Sequence, residues 1–188
     1  MITVVDHDPG WAAAFRGLRD RYAEALDVAG VPVVGIEHVG STAVPGLAAK
    51  PVIDVDIIVA AEQVEAASDV LLGLGFRPLG ELGIPERWAF AQPADWPRTN
   101  TYVIVAGSLS LRNHLAVRDT LRADPELRDA YGAVKQRVAA AAEDLDAYIR
   151  DKNAIVQQIL TAAGLTAAER AATDANQIPP GAGRRVPR

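Results

Sequence analysis

Residues 36–58 read IEHVGSTAVPGLAAKPVIDVDII. The second half of this stretch predicts a strand over residues 52–60, β-branched and apolar apart from Asp54 and Asp56. In a strand, residues i and i+2 point to the same side, so both carboxylates share one face. Two ionised carboxylates that close repel each other unless a cation lies between them. Hard oxygen ligands in that arrangement suit Mg²⁺, which takes one or two carboxylates and leaves positions for phosphate oxygens. The plainer alternative is a half-exposed strand with Asp on its solvent face. The apolar neighbours Val52, Ile53, Val55, Ile57, Ile58 and Val59 argue against it, because a buried Asp pair without a counter-charge is costly.

Upstream, residues 33–39 predict a second strand, and Gly40-Ser41 sits on the turn that leaves it. Glycine lets the backbone approach a phosphate closely, and serine adds a hydroxyl to the backbone N–H donors. Residues 40–51, GSTAVPGLAAKP, are too rich in Gly and Pro for a regular element. Alone, a glycine-serine turn says little. Followed after twelve residues by Asp-x-Asp inside an apolar strand, it becomes specific.

Outward from this centre, residues 2–5 read as a short strand or extended arm. Asp8-Pro9 reads as a helix start. Trp11, Phe15, Leu18, Tyr22 and Leu26 then form one apolar helical face that ends near Gly30. A short helix is expected over 64–74, and further strands over 76–82, 87–92 and 101–107. From Ser108 the pattern is helical: 109–122, 125–142 and 144–163, with a short stretch to about 175. The third of these carries Leu145, Tyr148, Ile149, Ile155, Val156, Ile159 and Leu160. The tail QIPPGAGRRVPR has the composition of a disordered segment. The expectation is an α+β fold: a small mixed sheet with flanking helices and a C-terminal helical bundle. It forms one domain over 1–164, with the sheet part about 1–107, the helical part about 108–164 and an extension over 165–188.

Composition narrows the function. Of 188 residues, 49% are hydrophobic and 23% charged, which excludes wholesale disorder. There is no Cys, so a disulfide scaffold, a thiolate zinc site and a Cys nucleophile are excluded. His7, His38 and His114 are too scattered for a His-based metal site. A net charge of −5 gives no global basic field, which disfavours nucleic acid as a partner. No apolar run is long enough for a membrane span, and the N-terminus lacks a signal-peptide pattern, so the expected location is cytoplasmic.

The glycine-serine turn with its Asp-x-Asp strand resembles the signature of nucleotidyltransferases with the DNA polymerase β-like fold. The longer string HVGSTAVPGLAAKPVIDVDI narrows the resemblance to the GrpB family of that superfamily. DHDPGWAAAF resembles the family's N-terminal helix start. HLAVRDTLRADPELRDAYGAVKQRVA and AYIRDKNAIVQQIL resemble its C-terminal helices, so the likeness covers about residues 3–163. It implies a small mixed sheet that carries the Asp pair. It also implies nucleotidyl transfer from a nucleoside triphosphate to a small-molecule acceptor. Asp54 and Asp56 would hold Mg²⁺ as the catalytic and metal residues, and Gly40 and Ser41 would hold phosphate. Some family members occur fused to dephospho-coenzyme A kinase.

The sequence departs from the superfamily pattern at one place. A third carboxylate is usual on a neighbouring strand, yet no Asp or Glu occurs between Asp95 and Asp119. Relatives often have His-x-His-Val there, and this chain has Asn100-Thr101-Tyr102-Val103. Glu37 is a candidate substitute. A non-catalytic nucleotide-binding or interaction module therefore stands beside the transferase reading.

Among the cations, Lys50 is read either as a phosphate partner or as the partner of a nearby carboxylate. Arg118, Lys135 and Lys152 fall at family-motif positions, and Tyr131/Lys135 and Tyr148/Lys152 repeat an i, i+4 aromatic-cation spacing. That repeat is consistent with one surface facing a triphosphate, with both lysines in the cleft opposite Asp54. A solvated helix face accounts for any single instance. Trp88 and Trp96 are read as packing residues, with base stacking as the minority alternative.

Overall fold

The computed structural model describes residues 3–141, 147, 149 and 151–177, with backbone alone for 174–177. Leu145, Tyr148 and the tail beyond 177 lie outside the described residues.

Five strands form one mixed sheet: β1 (Gly35–Val39), β2 (Ile53–Val59), β3 (Arg77–Gly80), β4 (Arg87–Ala91) and β5 (Thr99–Val105). The spatial order is β1-β2-β5-β4-β3, with β2 and β5 parallel and the other pairs antiparallel. The helices are α1 (Gly10–Val28), α2 (Val64–Gly73), α3 (Leu109–Ala123), α4 (Pro125–Ala141), α5 (Asn153–Ala162) and α6 (Ala167–Gln177). The α+β expectation therefore holds, with α1 before the sheet, α2 between β2 and β3, and the other described helices after β5.

Alternation along β2 divides the protein into two layers. Ile53, Val55, Ile57 and Val59 point to one face and pack with Trp11, Leu18, Tyr22 and Leu26 of α1 and Leu71 of α2. The α1 face is the one read from the sequence, with Asp8 Oδ1 accepting the Gly10 N–H at 2.7 Å at its start. Trp96 lies in this layer, stacked on Tyr22 with Arg21 3.6 Å above its ring centroid. Trp88 packs against the same core. Both tryptophans are therefore on the sheet face away from Asp54 and Asp56, and neither is placed to stack on a base there.

The other face carries Asp54, Asp56 and Ile58 and is covered by α3 through Leu111 and His114. A second apolar cluster joins Val44 and Leu47 of the Gly/Pro-rich segment to Leu121, Tyr131, Ile155, Ile159 and Leu160 of α3, α4 and α5. The segment 40–51 has no regular element beyond one 3₁₀ turn over Ser41–Ala43. Val5 pairs with Ala49 in an isolated bridge, so the N-terminal arm is extended and tied down beside this segment.

Candidate functional site

β2 sets the two carboxylates side by side on one face. The register puts Asn100 and Tyr102 of β5 next to Asp54 and Asp56, and Val39 and Glu37 of β1 on their other side. Asn100 Nδ2 donates to Asp54 Oδ1 at 2.7 Å. His114 Nδ1 lies 2.8 Å from Asp56 Oδ2. Asp56 is 0% exposed, and its Oδ1 is buried without a hydrogen-bond partner. Burial raises the Asp54 carboxyl above the usual carboxylate range, and the Asn100 bond pulls it part of the way back.

A cavity of about 190 Å³ opens over this face, lined by Gly40, Ser41, Asp54, Tyr102, His114, Tyr131 and Lys152 among others. Gly40 has φ 70° and ψ −170°, a conformation almost confined to glycine. A Cβ at Gly40 would collide with Asp54 Oδ2. The turn and the carboxylate are therefore in direct contact, so glycine is required here on two counts.

The structure separates the predicted cations. Lys152 reaches the cavity. Burial lowers the Lys152 amine from its ordinary value, and the Asp54 charge opposes that shift. Lys50 stands nearby, half-buried, lowered first by burial and then by Lys152, while Asp54 again opposes. Lys135 was expected in the cleft. Its Nζ instead donates to the Ala48 carbonyl at 2.6 Å, and the residue is 2% exposed. Arg118 binds Glu37 Oε2 at 2.6 Å, the His38 carbonyl at 3.1 Å and Asp119. Glu37, the candidate substitute carboxylate, shares the face of Asp56 by register but is held by Arg118.

Arg118 and Lys135 belong to a larger pattern. Arg122 donates twice to the Ala43 carbonyl, at 3.0 and 2.7 Å, and Arg128 Nη1 reaches the Pro45 carbonyl at 3.4 Å. Cations on α3 and α4 thus hold the carbonyls of residues 38, 43, 45 and 48. A segment without a ladder or helix leaves backbone acceptors that must be met from elsewhere when buried. The helical half meets them, and so fixes the turn beside Asp54.

Sequence reasoning also left His38, His114 and Asn100 without partners. His38 Nε2 lies 3.0 Å from Thr42 Oγ1 and its ring stacks on Phe15. Burial, with Arg122 and Arg118 adding to it, lowers His38 to about 4, so it is a neutral support of the turn at neutral pH. Tyr131 is pushed up to about 12 by burial, with hydrogen bonding to Ser41 drawing it back.

The GrpB protein family profile matches residues 1–162. The chain belongs to the GrpB family. The UPF0157 protein of Deinococcus radiodurans is 36% identical over 159 residues, covering 84% of this chain and 80% of that protein. A UPF0157 protein of Halalkalibacterium halodurans is 35% identical over 171 residues, covering 88% and 84%. A dephospho-CoA kinase of Mycolicibacterium paratuberculosis is 31% identical over 180 residues, which is 80% of this GrpB chain and 43% of the kinase. The chain likewise spans 44% of the UPF0157 protein YqkA of Bacillus subtilis, at 31% identity over 81% of itself. Among solved structures, GrpB from Enterococcus faecalis superposes with TM-score 0.74 at 28% identity, over 86% of this chain and 96% of that one. The GLD-2/RNP-8 complex matches with TM-score 0.57 at 14% identity, over 83% and 61%, a likeness of fold alone. These two neighbours share the fold of this GrpB chain.

The donor set fits the Mg²⁺ that this fold family implies. Asp56 Oδ1 is a buried oxygen without a partner, and Asp54 faces the cavity on the same side of the sheet. Among the described residues no three His, Asp or Glu side chains converge as a protein-only metal cage. A cation here would draw its remaining oxygens from substrate and water, as Mg²⁺ in phosphoryl-transfer sites does.

Proposed function

We propose that the protein is a Mg²⁺-dependent nucleotidyltransferase that moves a nucleotidyl group from a nucleoside triphosphate to a small-molecule acceptor. One observation carries this reading: Asp54, with Asp56 beside it on the sheet, faces a cavity shared with the Gly40-Ser41 turn and Lys152. Asp54 and Asp56 would hold the metal, which when bound offsets triphosphate charge and polarises the α-phosphoryl group. Gly40 permits close backbone approach, Ser41 offers its hydroxyl, and Lys152 supplies positive charge from the helical side. Asn100 orients Asp54, and His114 orients Asp56. The acceptor oxygen bonds to the α-phosphorus as the α–β P–O bond breaks. Pyrophosphate leaves with that electron pair, and the acceptor proton passes to water.

The cavity of about 190 Å³ is smaller than the roughly 300–1,000 Å³ of sites for drug-sized ligands. It suits a phosphate chain, with the nucleoside outside it. The net charge of −5 supports a small acceptor over RNA, and so does the relative that is a dephospho-CoA kinase. A second reading, nucleotide binding without transfer, is favoured by Asn100 and Tyr102 standing on β5 where a carboxylate is usual. Pyrophosphate release in the presence of candidate acceptors separates the two.

Mg²⁺ with a nucleoside triphosphate should raise the melting temperature. Ligand at one hundred times its dissociation constant adds about 2.7 kcal/mol. Asp54→Asn should abolish the shift while the protein stays folded. Lys152→Ala should weaken binding by about one to two orders of magnitude, the worth of one charge-assisted hydrogen bond. A panel of triphosphates that gives no Mg²⁺-dependent shift would overturn both readings, and a full shift in Asp54→Asn would remove the metal assignment.

A further inference from the structure

Arg87 opens β4 on the same sheet face as Asp54 and Asp56, since its register partner Ile104 lies on β5 two residues beyond Tyr102. Its guanidinium carbon stands 4.5 Å from the Tyr102 ring centroid. Its Nε is buried without a hydrogen-bond partner. Among the described residues its guanidinium forms no ion pair or hydrogen bond, although the charges of Asp56 and Asp54 act on it. A half-buried guanidinium with an orphaned donor is costly unless something else meets it.

The backbone before Arg87 is held in an unusual conformation. Glu86 has φ 62°, its N–H is bound by Glu81 Oε1 at 2.8 Å, and its carbonyl is bound by Val105 N–H at 3.0 Å. A non-glycine residue there is strained, and such strain gathers at binding sites. The clamp fixes where β4 begins, and with it where Arg87 projects.

Position in the sheet gives Arg87 a distinct task. The Gly40-Ser41 turn leaves β1 on one side of Asp54, and Arg87 lies on β4, beyond β5 on the other side. In-line displacement needs the attacking oxygen opposite the leaving pyrophosphate. With the phosphate chain at the turn, the acceptor comes from the β5–β4 side. Arg77 shares this face, because its register partner Ala91 lies four residues on from Arg87 along β4.

We propose that Arg87, resting on the Tyr102 ring, binds an anionic group of the acceptor, a phosphate or carboxylate. The proposal rests on the transferase reading for the word acceptor, whereas the anion site itself does not. Arginine suits it, because its planar fork matches both anions and stacks on an aromatic face.

The test uses the full chain and the ¹⁵N–¹H signal of Arg87 Nε, assigned by its loss in Arg87→Lys. Inorganic phosphate and acetate are titrated separately, first alone and then with Mg²⁺ and a non-hydrolysable triphosphate bound. The expected result is a saturable shift with one of the two anions, retained with nucleotide present. Arg87→Gln should weaken binding of that anion at least tenfold, with its melting curve confirming the fold. No shift with either anion in the wild-type protein overturns the proposal, whatever the variants do. Unchanged anion affinity in Arg87→Gln overturns it too. Displacement of the anion by nucleotide also overturns it, by assigning Arg87 to the donor phosphates. An intact anion shift with no nucleotide binding supports the site and overturns the transferase reading.

Discussion

Gly40→Ala is expected to lower the melting temperature by roughly 4–24 °C and to abolish the stabilisation by Mg²⁺ and nucleotide. Two costs add. With φ 70° and ψ −170°, the backbone lies where an L residue costs on the order of 1–3 kcal/mol. The new methyl would also strike Asp54 Oδ2, a carboxylate held on its other oxygen by Asn100. Forcing an extra methyl into a filled site costs about 1–3 kcal/mol. At about 2–4 °C per kcal/mol for a chain of this size, the sum gives the range stated. Gly30→Ala is the control for a positive-φ glycine without the collision, because Gly30 has φ 68° and nothing within 4 Å of the new Cβ. It should show only the backbone cost and keep full nucleotide binding. Calorimetry of the three proteins with and without ligand decides the matter. If Gly40→Ala melts like Gly30→Ala and still binds, the turn does not need to press against Asp54.

The sequence disclosed what is local. Asp54 and Asp56 share a face because a strand alternates, and the α1 stripe is buried because a helix repeats. The pairings across long separations were closed to it. His114 meets Asp56 across 58 residues, and no spacing rule connects α3 to β2. Asn100 is legible as a hydrogen-bond donor but not as the partner of Asp54, because the sequence predicts the strand over 101–107 and it begins at Thr99. That shift puts Asn100 beside Asp54 in the parallel ladder. The cations of α3 and α4 were legible as charges but not as partners. A signal was present all the same. Residues 40–51 carry Gly and Pro enough to exclude a regular element, so their carbonyls had to be met from elsewhere. Arg118, Arg122, Arg128 and Lys135 meet four carbonyls of residues 38–48, a positioning task where phosphate binding had been read for Arg118 and Lys135.

Lys135 makes the fold sensitive to alkaline pH. Burial is the chief cause that lowers its amine from 10.5 to about 7, with Lys152 and Lys50 adding and Asp54 opposing. Between those two values the unfolded chain holds a proton that the folded chain has given up. Stability therefore rises with pH from about 7 towards 10, at up to about 1.4 kcal/mol per pH unit for one such group. Below about 7 the amine is charged in both states and adds no further slope. Lys50 and Lys152 are lowered in the same direction and steepen the rise. Above 10 the trend reverses, because burial pushes Tyr22 and Tyr131 up to about 12. They stay protonated in the folded chain while their unfolded counterparts ionise. Urea unfolding at a series of pH values from 6 to 11 should give a maximum near the crossover of these two trends. Lys135→Met should flatten the rise above 7, though it leaves the Ala48 carbonyl without its donor and so costs about 1–3 kcal/mol at the alkaline end. The variant is then closest to wild type near neutrality, where the buried charge it removes is itself a burden, and furthest below it near the maximum. A wild-type profile that is level between 7 and 10, or a variant that keeps the full slope, would mean that Lys135 stays charged beneath the loop. In that case its positive charge would belong to the field that faces Asp54.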